Sequence, residues 1–188
     1  MTGVYLAPRL TPVSMASVYN SLRRADRSLC PNALLVALSQ VDLESASGSA
    51  VRNFSLAGVK TRPGGEHDHT FYGTHEIENG RRVDYPAPPL WRQPLITAEN
   101  AASAELQTCF RAFADLDAAT SHHLRFIRES YPDAWTHLVA GLSYEYGLAL
   151  GDDVGRRYYS ADPRAYARGL SLRFEAFRKA MPKWSADV

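Results

Sequence analysis

The 188-residue chain lacks any apolar run long enough to cross a bilayer, where about 20 consecutive residues are needed. Its first ten residues, Met1 to Leu10, also lack a charged segment followed by an apolar one, so a soluble protein without a conventional export signal is expected. Cysteine is nearly absent. Cys30 and Cys109 lie far apart and match no metal-ligand spacing, which leaves either buried thiols or one disulfide made outside the cytoplasm. Neither has a histidine at a diagnostic spacing, and the chain holds no Gly-rich phosphate loop and no G-x-S-x-G turn. Thiol, nucleotide and serine chemistries are set aside on those grounds. An excess of charge of one sign is missing too: 21 Lys and Arg face 20 Asp and Glu, and the basic residues are scattered. No nucleic-acid footprint is expected, and the cluster Arg23, Arg24 and Arg27 reads as a solvated helix face.

What is present suits one domain: 45% of the residues are hydrophobic, enough for a buried core. Thr11-Pro12 offers an N-cap and a first-turn proline, and Met15, Val18 and Leu22 recur at helical spacing, which predicts a helix over residues 12 to about 26. A second helix opens at Pro31, carries an apolar stripe of Leu34, Ala37, Leu38 and Val41, and ends in Ser45-Ala46-Ser47-Gly48. From Asn53 to Pro94 the texture turns to Gly, Pro, His and charge. Two β-prone runs there, Thr70–Tyr72 and Arg82–Tyr85, flank Asn79-Gly80, a pair suited to a tight hairpin turn. Asp115 is placed to cap a helix. Trp135, Leu138, Val139, Leu142, Tyr146 and Ala149 read as one continuous stripe, and Asp162-Pro163 caps a last helix that buries Leu170, Phe174, Phe177 and Met181. Helices at both ends around a hairpin lobe make an α+β arrangement, whose crevice suits an extended polymer.

Glu44 is the residue with the clearest chemical promise. It falls three residues after Val41 in the last helical turn, at the edge of the apolar stripe and away from Asp42 on the expected solvated face. Partial burial and the negative end of the helix dipole both oppose ionisation, so its pKa should be raised. A carboxylic acid still protonated near neutral pH can donate a proton to a glycosidic oxygen. The bland alternative is a glutamate that only bonds to the Ser/Gly loop after it. Glu66-His67-Asp68-His69 resembles a metal cluster at first sight, but adjacent residues in a Gly-rich loop rarely converge on one ion, and neither metal nor cofactor is expected. His123, seven residues after Leu116, reads as a satisfied core histidine.

Several short segments occur in the order of a known family: ALSQVDLESASG at Ala37 to Gly48, FSLAGVK at Phe54 to Lys60, Thr74-His75-Glu76, FRAF at Phe110 to Phe113, and Tyr159-Ser160-Ala161-Asp162-Pro163 with Tyr166. Over roughly residues 30 to 178 the chain resembles glycoside hydrolase family 73, with residues 1 to 29 as an N-terminal helical extension. The resemblance implies a mostly helical, lysozyme-like α+β fold with a small β-hairpin lobe flanking an active-site cleft. It also implies an endo-β-N-acetylglucosaminidase that cuts the peptidoglycan glycan after N-acetylglucosamine. A muramidase or lytic transglycosylase of the same fold stays open, as does a catalytically silent glycan-binding module. Glu44 maps onto the family's acid and Glu76 onto its second glutamate. Glu78 competes with Glu76, since both face the same side of a strand, and only the T-x-E match favours Glu76. Tyr159 maps onto a substrate-positioning tyrosine, with Phe54, Tyr72 and Lys60 as further substrate contacts. The chain departs from the family at Ser55 and Ala57, where an Asn and an aromatic are usual, after Glu44, where a Gly-Trp-Gly type sequence is frequent, and by one inserted residue between Pro163 and Tyr166. Phe54, Tyr72 and Trp91 are the aromatics available to replace the lost stacking face. A wall enzyme without an export signal implies manufacture in the cytoplasm and action in the periplasm of a target bacterium. Delivery would be by an injection or phage-like system, as an antibacterial effector with a cognate immunity protein as partner.

Overall fold

A computed structural model describes residues 3–78, 81–152 and 162–184. Its organising element is helix α2 (Pro31–Glu44), which starts where Pro31 can sit without losing a hydrogen bond and where Cys30 Sγ accepts from the Ala33 amide at 3.5 Å. Every residue from Ala33 to Asp42 is buried. A helix buried on all sides is a core element and not an amphipathic one. The expected stripe therefore understates it, and Asp42 is not solvated: it is ion-paired at 2.8 Å with Arg173 of α7 (Pro163–Trp184). Val18 and Leu22 of α1 (Met15–Ala25), Ile127 of α4 (Leu116–Ser130) and Leu170 of α7 close around α2.

Helix α1 begins at Met15 with Ser14 as its N-cap, three residues later than Thr11-Pro12 suggests. Tertiary bonds decide this. Thr11 donates its amide to Val51 and accepts the Phe54 amide on its hydroxyl, while the Val13 amide reaches Gly48, so residues 11 to 13 are pinned in extended form. Residues before α1 are extended as well; the Leu6 amide donates to His69 and the His69 amide to Val4. Arg24 is exposed, as a solvated face requires, but also pairs with Asp117 at 2.7 Å.

The hairpin is present with a different pairing from that expected. Strand β2 (Thr74–Glu78) runs antiparallel to β3 (Arg81–Tyr85), with Glu76 opposite Val83 and Glu78 opposite Arg81. Asn79-Gly80, the anticipated turn, lies outside the described residues. Strand β1 (His69–Phe71), which holds most of the first β-prone run, pairs instead with β4 (Cys109–Arg111). Burial accounts for the choice: Phe71 and Cys109 form a second small core with Ile96, whereas β3 has no buried residue. Between the two sheets run a 3₁₀ turn (Gln93–Leu95) and the short α3 (Ser103–Gln107).

Asp115 caps α4 as its sequence predicts, accepting the Ala118 amide at 2.8 Å. The stripe from Trp135 to Ala149 is two helices, α5 (Pro132–Val139) and α6 (Ser143–Asp152), separated at Gly141. Gly141 adopts φ +73°, and a Cβ there would lie 2.7 Å from the Asn32 Cβ, so the chain turns where only glycine fits. Asp162 caps α7 by accepting the Ala165 amide at 2.9 Å, and Leu170 and Phe174 are buried as expected.

Candidate active site

Glu44 is the last residue of α2, so the most buried helix of the fold delivers it. The Tyr166 hydroxyl, from the first turn of α7, donates to Glu44 Oε1 at 2.7 Å. Glu44 as a residue is exposed, yet protein crowds its carboxyl enough that burial raises its pKa, with the Tyr166 hydrogen bond acting in the opposite direction. The residue thus keeps contact with solvent while its carboxyl has protein close around it. One turn earlier, Gln40 accepts a short hydrogen bond from the hydroxyl of Tyr146, which is fully buried. The Tyr146 pKa is raised by burial and, second, by the charge of Glu44, so the carboxylate is felt inside the core.

Gln40, Tyr146 and Tyr166 join the surroundings of Glu44 without being among the residues the sequence nominates. Gln40 had a signal in its i, i+4 spacing to Glu44. Tyr166 had one in its position within the matched Asp162-Pro163 segment, although nothing local to the sequence says which carboxylate it meets.

The turn after Glu44 is conformationally costly. Ala46 and Ser47 have φ of +49° and +57°, and Asn53 and Phe54 follow at +46° and +53°. Left-handed conformations cost L-residues roughly 1–2 kcal/mol each, and such residues cluster at functional sites. Tertiary bonds hold them. Ser45 Oγ donates to Val41 and accepts from the Gly48 amide, while buried Asn53 accepts the Arg9 amide and donates to Ala7. Gly48, at φ +81°, could carry no Cβ, since one would sit 2.1 Å from the Val13 carbonyl oxygen.

The second predicted carboxylate belongs to a different group of side chains. Glu76 Oε1 is ion-paired with Lys60 Nζ at 2.5 Å, and Lys60 also donates to Gln107 Oε1. Lys60 forms an isolated antiparallel bridge with Phe110, whose ring stacks on Tyr72 at 4.0 Å between centroids. Thus Lys60, Tyr72 and Glu76 form one cluster, to which Arg52 adds a guanidinium 5.4 Å from the Tyr72 ring centre. Burial pushes the Tyr72 phenol up to about 12, opposed by Ser55 and Arg52. No hydrogen bond or ion pair joins Glu44 to Glu76, and each has its own partner.

Phe54 is half-buried and packs against the main core. Trp91 is 73% exposed beside Leu90. Tyr159 lies outside the described residues. Cys30 and Cys109 are both free thiols, exposed and buried respectively. Glu66, His67 and Asp68 line a pocket, and no group of three or more His, Cys, Asp or Glu among the described residues is disposed to hold a metal. His123 is buried as expected but not satisfied: neither ring nitrogen has a hydrogen-bond partner, and burial lowers its pKa to about 4.

No protein-family model matches the sequence, and no curated protein matches it. A solved structure does: a C-terminally truncated glycoside hydrolase domain of Salmonella typhimurium FlgJ. The match covers 88% of this chain and 95% of that one, at a TM-score of 0.55 and 19% identity. The chain is thus similar in fold, over most of its length, to the FlgJ glycoside hydrolase domain, a lysozyme-like α+β fold that is mostly helical.

Proposed function

We propose that the chain is a peptidoglycan hydrolase that cleaves the β-1,4 glycosidic bond after N-acetylglucosamine, with Glu44 as the general acid. One observation carries this reading: a carboxyl at the end of a buried helix is open to solvent, held by Tyr166, and raised in pKa by burial. Such a group is protonated at a pH where an ordinary carboxylate is not, and it can pass that proton to the leaving oxygen of a sugar strand. Glu76 is the second carboxylate in this proposal, supporting positive charge that develops on the ring or activating water, with Lys60 fixing its position. Tyr72, with Phe110 stacked on its ring, is placed in this proposal as a substrate contact; Phe54 and Tyr159 complete the proposed sugar contacts.

Purified sacculi digested by the chain, reduced with borohydride and analysed by mass spectrometry should yield reduced N-acetylglucosamine ends. Reduced muramic acid or anhydro ends would reassign it to a muramidase or lytic transglycosylase. Glu44→Gln should abolish lysis, since general acid catalysis supplies on the order of 10²–10⁴ in rate.

A second reading, a silent glycan-binding module, is favoured by the engagement of Glu76 with Lys60. Binding of sacculi without lysis, equal in the wild type and in Glu44→Gln, is its signature.

On the hydrolase reading, the chain acts on the wall of a target bacterium as an injected antibacterial effector, and its producer carries an immunity protein that plugs the Glu44 site. Expression should be harmless in the cytoplasm and lytic behind a periplasmic signal; equal harmlessness in both compartments refutes the delivery proposal.

A further inference from the structure

Outside the Glu44 region a pocket of about 350 Å³ opens between the segment leading into β1, the end of β4 with the residues after it, and one side of α4 from Ala118 to Arg125. Its polar lining is Glu66, His67, Asp68, Arg111, His122 and Arg125. None of the functional argument above uses it.

Two guanidinium groups, those of Arg111 and Arg125, meet there. Among the described residues, neither Arg111 nor Arg125 forms an ion pair with a carboxylate. Arg111 makes one side-chain hydrogen bond, a short one to Nε2 of His122, and its Nε is buried without a partner. The two guanidinium groups also repel one another: the charge of Arg125 lowers the Arg111 pKa, second only to burial. The Arg111 guanidinium is partly buried with its Nε unpartnered, an arrangement that a bound oxyanion would complete.

The histidines do not add to the repulsion. Burial and the two arginines lower His122 to about 3, so it is neutral and accepts from Arg111 through Nε2, which places its proton on Nδ1. Its ring is fixed between Phe126, stacked at 5.9 Å, and Phe113 at 5.1 Å. The Arg111 guanidinium is therefore held in place by a rigid neutral acceptor instead of being neutralised by an acid. Asp68 is occupied, accepting the Val4 amide at 2.9 Å. Glu66 is exposed and raises the Arg111 pKa from a distance without pairing with it.

We infer that this pocket is an oxyanion-binding subsite, in which Arg111 and Arg125 together hold a carboxylate or phosphate group of a small ligand. The fork of a guanidinium matches either group through paired N–H donors, and two such forks around one cavity give a fit that surface lysines do not. The inference is independent of the hydrolase reading, and its test involves no glycan cleavage.

The full chain is titrated calorimetrically with inorganic phosphate and, separately, with N-acetyl-D-alanine as a carboxylate probe. Saturable binding of either supports the subsite, and the probe that binds identifies the oxyanion. Arg125→Gln, a change at an exposed position that leaves the core intact, should weaken binding about tenfold, the loss of one charge-assisted pair. Arg111→Gln should weaken it at least as much, and Glu66→Gln should strengthen it by removing the competing negative charge. Absence of saturable binding by both probes overturns the inference, as does binding that survives unchanged in Arg125→Gln.

Discussion

The Tyr166 hydroxyl donates to Glu44 Oε1 at 2.7 Å, joining the first turn of α7 to the last residue of α2. A donor at that oxygen favours the ionised carboxylate and so works against the burial that raises the Glu44 pKa. Tyr166→Phe removes it. The Glu44 pKa should then rise further, and because a general acid must be protonated to act, the alkaline limb of the lysis profile should move to higher pH. A limb that stays put or moves to lower pH refutes this link.

Glu44 also sets a pH dependence of stability. Its folded pKa is raised above the unfolded value, so its contribution is fully present below the unfolded pKa and is lost as pH rises through the folded one. Glu44→Gln, which never ionises, should accordingly melt higher than the wild type at neutral pH, with the difference shrinking toward zero as pH falls below the ordinary carboxylate range. Melting temperatures of both proteins across that range decide the matter.

His123 works with the opposite sign. Its pKa is lowered from 6.5 to about 4 by burial, so its stabilising effect is present above the unfolded pKa and disappears as pH falls through about 4. The effect amounts to roughly 3 kcal/mol across that window. Since neither ring nitrogen is hydrogen-bonded, His123→Phe should leave stability at pH 7 nearly unchanged and shallow the loss between pH 6 and pH 4. Urea midpoints at both ends of the window measure it; an equally steep loss in the variant would falsify the assignment.

Much of the helical frame was legible because helix ends are local chemistry. Pro31, Asp115 and Asp162 start their helices in the structure as they do in the sequence. Partnerships across the chain were not. The run at Thr70 has the composition of a hairpin strand, and only the burial of Phe71 against Cys109 sends it to β4. Asp42 leaves its expected solvated face for a similar reason. A stripe is visible to a periodic pattern, but a helix covered on every side looks the same from the pattern alone, and Arg173 makes the interior habitable for Asp42. The candidate acid could be named from its position at the end of α2; its phenolic partner, 122 residues away, could not.

The backbone after Glu44 offers a further test. Ala46 and Ser47 hold left-handed conformations that glycine adopts at little cost. Ala46→Gly should raise the melting temperature through about 1 kcal/mol of relieved strain. Gly48→Ala should do the reverse by more than that, because the new methyl meets the Val13 carbonyl. Thermal melts of the two variants, moving in opposite directions, would locate the strain in this turn.

The contact between α2 and α7 bears on when the protein becomes competent as well as how. A ribosome makes α2 early and α7 after every other described element, so a growing chain carries Glu44 long before it carries Tyr166. Until α7 docks, the carboxyl lacks its phenol. Docking of α7 is then the step that completes the surroundings of Glu44, and a chain halted before that helix lacks them.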